Sequence, residues 1–372
     1  MRRKMKYRLT IVIVLILTLY MQKTAHATEI LESTDFDEIN NIISSVYDKE
    51  FDFKKNVENI LNGYTDENQN IFSDLLSYIV GEIKVNLKSI LFLIAFSVFA
   101  GFIVNFQSSF SRRNVADIAF LSIYFVYIYI LASSYKSCYE LAKNTLKTQI
   151  SLIEVSTPLY VTTVAATGHV STATAINAIF LYLIHICTQL IENVLFPLNY
   201  WVFLLTTVNN ASDKIQISKI ISLLKQTINW ILGFSMTVFV SALSLSGLKG
   251  ATVDRIGIKT IKYSMGNFVP VVGRLLSDTL DTVVSSATLL KNSVGIVGII
   301  AICLISIYPY IKLLVITWLY RLAAGIIEPV SERKLSNLVS GAASSIQIMS
   351  TMILIVSMTL VLSLGIIIAL CN

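Results

Sequence analysis

The alternation of apolar and polar positions divides the chain into three unlike regions. Residues 1–27 begin with MRRKMKYRLT, carrying five positive charges, continue with the apolar core IVIVLILTLYM, and end with QKTAHA, where Ala25 and Ala27 form an A-x-A pattern. A charged start, a short apolar core and a small-residue site are the parts of a secretory signal peptide. An uncleaved N-terminal anchor is the alternative, and either one places the chain from residue 28 outside the cytoplasm. From 28 to 86 the segments INNIISSVYDKEF, VENILNGY and IFSDLLSYIVGEI space their apolar residues three and four apart. That spacing predicts short amphipathic helices, with Asn62-Gly63 as a helix stop.

From residue 87 onward the pattern changes to long apolar runs. Those at 89–106, 115–133, 172–191, 231–247, 297–320 and 348–370 are of spanning length, for which about 20 apolar residues are needed. The run at 194–208 is shorter and reads as a short span, half of a hairpin or an interfacial piece. Residues 135–156 read as an amphipathic stretch at the outer interface. Basic residues cluster where alternate runs end: Arg112 and Arg113, then Lys214, Lys219 and Lys225, then Arg321, Arg333 and Lys334. Positive charge in short loops marks the cytoplasmic side, which agrees with an exported N-terminus. The predicted fold is all-α: a polytopic helical membrane protein of about six to eight spans, with a short exported N-terminal helical segment. Its predicted parts are a signal peptide at 1–27, an extracytoplasmic helical segment at 28–86 and a multi-pass membrane domain at 87–372.

Composition strengthens this reading. The chain is 55% hydrophobic and 14% charged, with mean hydropathy +0.70, whereas a soluble domain carries about 25% charged residues. An outer-membrane barrel would need alternating segments of about ten residues, and the sequence has none. Charge is unevenly shared. Residues 28–86 hold 13 acidic and 4 basic side chains, and 87–372 hold 10 acidic and 19 basic. The acidic segment is either a solvated stalk or a docking element for another exported protein, and its apolar faces favour docking. The positive charge further on is spread over loops, which argues against nucleic-acid binding. Cys138, Cys187, Cys303 and Cys371 lie far apart without a CxxC motif, so neither zinc nor redox chemistry is indicated. No cofactor fingerprint, HExxH, GxSxG or P-loop occurs, and an enzyme is not expected.

Candidate function lies in the polar features. The stretch GNFVPVVGRLLSDTLDTV at 266–283 places Arg274, Ser277, Asp278 and Asp281 on one helical face, with Leu276, Leu280 and Val283 opposite. Such charges would cost several kcal/mol in hydrocarbon, so the face meets water, a lumen or a partner. It is either an assembly or conduit surface or a solvated interfacial helix. With GLKGATVDRIGIKTIKYSMG upstream, 248–292 reads as an amphipathic hairpin at the membrane surface. Gly266, Asn267, Pro270 and Gly273 form its turn motif. VSTATA (170–175), after Pro158, resembles VSSATL (284–289), after Pro270. Broken segments in two halves can mark a substrate site, and chance likeness among small residues is the plainer account. His185, within an apolar run, and Lys312, after Pro309, are candidates for an intramembrane polar path. The alternatives are a packed histidine and a snorkelling lysine.

The run SGLKGATVDRIGIKTIKYSMGNFVPVVGRLLSDTLDTVVSSATLLKNSVGIVG (246–298) resembles the stage III sporulation protein AE family of endospore-forming bacteria. Its specific part is the 266–274 core, followed by Ser277-Asp278 and Asp281-Thr282-Val283. The resemblance implies a polytopic component of a channel-like complex between mother cell and forespore, required for late forespore gene expression. It implies a place in the mother-cell membrane around the forespore. The implied partners are the other membrane proteins of the same stage III sporulation operon, a forespore membrane protein across the intermembrane space, and the lipid bilayer. A stand-alone secondary transporter or permease for a small solute is the other reading, motivated by the broken segments, His185 and Lys312.

Overall fold

The computed structural model describes residues 36–46, 51–63, 71–107, 113–211, 216–268 and 272–370, and of these it describes the backbone but not the side chains at 71–72, 103–107, 113–117, 119, 176–177, 179, 181, 246–253, 255–283 and 370. The signal segment, Arg112, Pro270 and Cys371 therefore lie outside the described residues. The described elements are helical: α1 (Asp37–Ser44), α2 (Phe53–Leu61), α3 (Ile71–Gln107), α4 (Arg113–Ala166), α5 (Val170–Leu190), a π turn (Ile191–Leu195), α6 (Phe196–Ala211), α7 (Ser218–Phe268), α8 (Val272–Ile327) and α9 (Arg333–Leu370). Five described helical stretches are long and apolar enough to cross a membrane: Ser73–Phe102, Tyr182–Ala211, Ser218–Leu245, Val284–Ile327 and Arg333–Ala369. Large apolar side chains remain exposed on them, among them Phe99, Trp201, Trp230, Phe234 and Trp318. Exposed apolar surface on that scale needs a lipid or protein cover.

Two buried apolar clusters lie one above the other along the rods. The first joins Leu93, Tyr127, Leu195, Leu232, Ile316 and Met349. The second joins Ile153, Phe180, Phe239, Val297 and Leu364 to the N-terminal helices. The order in which each helix meets the clusters fixes its direction. α4, α7 and α9 pass from the first to the second; α5–α6 and α8 return. The ends of α3, α6 and α8 and the starts of α4, α7 and α9 thus share one end of the bundle. In the sequence, the basic residues lie in or beside the connections that join these helix ends. The opposite end holds α1, α2, the α4–α5 turn, the end of α7, the start of α8 and the end of α9.

Local chemistry explains several boundaries. Asp52 caps α2 by accepting a hydrogen bond from the Lys55 N–H at 3.1 Å, and α2 stops before Gly63, whose φ is +73°. Gly168, at φ +84°, makes the sharp α4–α5 turn, a conformation that costs other residues a Cβ clash.

The structure departs from the sequence pattern at four places. Residues 135–156 are not a separate stretch. They continue α4, and Tyr135, Cys138, Ala142, Leu146, Gln149 and Ile153 are buried at three- and four-residue steps. α4 packs against neighbouring helices, α8 and α9 among them. Pro158 and Pro309 lie inside α4 and α8 without ending them. The runs 172–191 and 194–208 form one rod through the π turn, so no reversal of direction separates them. Finally, the apolar faces of α1 and α2 are covered by their own chain. Phe36, Ile39, Ile43, Phe53 and Val57 pack with α4 and α8, which removes the argument that those faces need an outside partner.

Candidate functional site

α3 runs beside α8 in the same direction, and their register builds a polar site. Tyr78 meets Tyr308 edge-to-face, with ring centroids 5.0 Å apart. One turn further on, Lys312 Nζ donates to Glu82 Oε1 at 2.9 Å. The second carboxylate oxygen accepts from Asn86 Nδ2 at 3.3 Å. The Glu82 side chain is 11% exposed and that of Lys312 37%, so the pair is sheltered but reachable. It borders a cavity of about 450 Å³ between α3, α4 and α8, into which Ser89, Ser133, Ser134 and Ser137 also face. A smaller apolar crevice of about 30 Å³ between α4, α5, α7 and α9 is the size of one water.

Two further polar contacts tie the bundle together. The Gln149 amide on α4 donates to Ser306 Oγ on α8 at 2.7 Å and to Ser357 Oγ on α9 at 2.9 Å. At the far end, Asp254 on α7 caps α5. Its carboxylate accepts from the Ser171 N–H at 3.0 Å, the Thr172 N–H at 2.8 Å and the Thr172 hydroxyl at 2.7 Å. α5 follows His169, which supplies no side-chain cap, so a carboxylate from another helix fills the role that Ser, Asp or Asn normally fills locally. Asp254 lies in the charged part of α7, with Lys249, Arg255, Lys259 and Lys262 around it in the sequence. Burial raises its pKa, but the hydrogen bonds from Thr172 and Ser171 outweigh burial and hold it below the usual value. A depressed carboxyl stabilises the fold fully above its unfolded value, about 3.9, and loses that contribution as pH falls through the folded value. Asp254→Ala is expected to lower stability at neutral pH by about 1–2 kcal/mol. The gap between wild type and variant should shrink on acidification below about pH 4, as read by thermal unfolding in micelles across pH.

The predicted site residues fall in different places. Lys312 borders the cavity. His185 is exposed on α5 and is not among the residues lining it. Gly266 and Asn267 lie in the last turn of α7, and Gly273, Arg274, Ser277, Asp278 and Asp281 in the first turns of α8. The side chains of these seven, and Pro270 entirely, lie outside the described residues. VSTATA opens α5 whereas VSSATL lies within α8, so the two stretches do not occupy equivalent settings. Sequence reasoning did not single out Glu82, Gln149 or Asp254. Glu82 sat unnoticed in the acidic segment ending at 86, yet α3 runs unbroken from Ile71 through that boundary. An acid flanked by Val80, Ile83 and Val85 was the available signal.

Helical architecture among the described residues, five helices of spanning length and apolarity, and an ion pair in an open cavity between three of them define the class: a helix bundle with the make-up of a multi-pass membrane protein. A family model described as stage III sporulation protein AE matches residues 51–371, and the chain belongs to that family. It is 30% identical over 294 residues to the stage III sporulation protein AE of Bacillus subtilis (strain 168), covering 79% of this chain and 74% of that one. The family is one of sporulation proteins, not of known enzymes. No solved structure matches the chain.

Proposed function

We propose that this protein is a multi-pass component of the channel-like complex joining mother cell and forespore, and that it works by assembly with other sporulation proteins. Family membership across 51–371 carries the reading. The shape of the bundle supports it. α4, α7 and α8 have 54, 51 and 56 residues, or about 75–85 Å at 1.5 Å per residue, against a hydrocarbon core about 30 Å thick. At the basic end the apolar runs come within a few residues of the helix ends. At the other end 249–281 carries Lys249, Asp254, Arg255, Lys259, Lys262, Arg274, Asp278 and Asp281, too much charge for hydrocarbon. By the charge rule the excess length is on the exported side. Six rods in alternating directions give six crossings on this reading, with α4 supplying the one not counted among the five apolar stretches. The membrane is then that of the mother cell around the forespore, and the projecting end stands in the intermembrane space. There the face at Arg274, Ser277, Asp278 and Asp281 would meet sister subunits from the same operon or the forespore membrane protein.

Affinity purification from sporulating cells tests this: co-purifying membrane and exported sporulation proteins are expected, and recovery of the chain alone would overturn it. Asp278→Lys and Arg274→Glu should each reduce spore yield and co-purification, whereas a charge change at Lys49 should leave both unchanged. Normal yield from both face variants would remove that surface from the reading. The cavity beside Glu82 and Lys312 favours a second reading, a transporter that moves a small solute unaided. Solute flux into liposomes holding this chain alone would select it.

A further inference from the structure

We propose that the cavity between α3, α4 and α8 is a binding site for a small zwitterion, a solute bearing one ammonium and one carboxylate group. Its carboxylate would sit on Lys312 and its ammonium on Glu82. Charge arithmetic carries the assignment. The charged groups lining the cavity are one acid and one base, and they face each other at 2.9 Å. A lone anion could take Lys312 only by stripping Glu82 of its counter-charge, and a lone cation the reverse. Either leaves a sheltered charge uncompensated, which is costly in a poorly solvated site. A zwitterion inserted between them exchanges one ion pair for two and leaves no charge alone.

The rest of the site fits such an occupant. Four serines and Asn86 supply neutral hydrogen-bonding groups, able to hold a polar solute or its waters without changing the charge balance. A volume of about 450 Å³ lies within the range of ligand pockets, roughly 300–1,000 Å³. Lys84 and Lys88 on α3 and Lys136 and Glu140 on α4 are exposed on two of the helices that wall the cavity. Charges so placed are incompatible with hydrocarbon, so this level of the bundle lies in water or among headgroups. Lys312, on its long stem, is the exposed member of the pair and the one able to swing aside. The proposal rests on this cavity alone. It is read on the isolated protein, so it can fail while the assembly reading stands, and the reverse.

Equilibrium binding to the full-length protein in lipid nanodiscs tests it. The probes are glycine, L-alanine and L-serine, set against acetate, methylammonium and N-acetylglycine, which each carry one charge. At least one zwitterion is expected to bind, with every single-charge probe weaker by about tenfold or more. Glu82→Gln and Lys312→Gln should each weaken zwitterion binding by a similar factor, and the exchanged pair Glu82→Lys with Lys312→Glu should recover it. No binding by any of the three zwitterions, single-charge probes binding as tightly, or full affinity in both single variants would overturn the proposal. If the variants fail to fold, the wild-type comparison of probes decides it.

Discussion

Lys312→Met is expected to destabilise the protein by about 2–3 kcal/mol, and Glu82→Leu introduced with it is expected to restore most of that loss. Removing one member of a fully buried ion pair costs about 3–5 kcal/mol because the remaining charge is left uncompensated. The lower figure here reflects the 37% exposure of the Lys312 side chain. The double variant removes both charges and returns an apolar contact between α3 and α8, a replacement that is neutral or stabilising in other buried pairs. Reversible unfolding in mixed micelles, with the two single variants and the double, gives the coupling directly. Additive losses would mean that the contact between Lys312 and Glu82 does not join the helices energetically.

Gly101→Val should cost a comparable amount, about 2–3 kcal/mol for overpacking, through backbone and not charge. A Cβ at Gly101 would come within 2.2 Å of the Val330 carbonyl oxygen. That carbonyl belongs to the α8–α9 turn, which is pinned by hydrogen bonds from the Val330 and Ser331 amides to the Ile327 carbonyl at 3.1 and 2.9 Å. A flexible side chain could yield, but here α3 itself must move. Because Glu82 lies on the same helix, that movement should also disturb the cavity. Gly81→Ala is the control: nothing lies within 4 Å of its Cβ, and loss of glycine in a helix should be neutral or gain about 0.5–1 kcal/mol. Equal stability of Gly101→Val and Gly81→Ala would show that the close approach of α3 to the turn is not rigid.

Between them these sites show what was legible before the fold was known. Apolar run length marked most rods, because a helix in lipid must carry about 20 apolar residues whatever it packs against. The basic connections were legible too, and the described helix ends that flank them share one end of the bundle. Run length failed where packing replaced lipid as the apolar solvent. Lys136, Glu140 and Lys147 dilute the 135–156 stretch, which hid that it continues the rod of α4 with a stripe buried in the bundle. Lys312 could be picked out as an ionisable residue in an apolar run. Its partner could not, since Glu82 is 230 positions away and sits among ordinary acids in an acidic segment.

The amino-acid sequence by itself determined that this chain is helical, apolar and alternately basic at its turns, and its motif around 266–283 pointed to its family. These properties are local: each follows from a run of neighbours and the solvent they require. Only the tertiary structure decided that Glu82 meets Lys312, that Asp254 caps α5 and that the N-terminal helices are covered by their own chain. Such contacts join residues far apart in sequence, and the parallel register of α3 on α8 or the crossing of α7 by α5 exists only once the rods are packed.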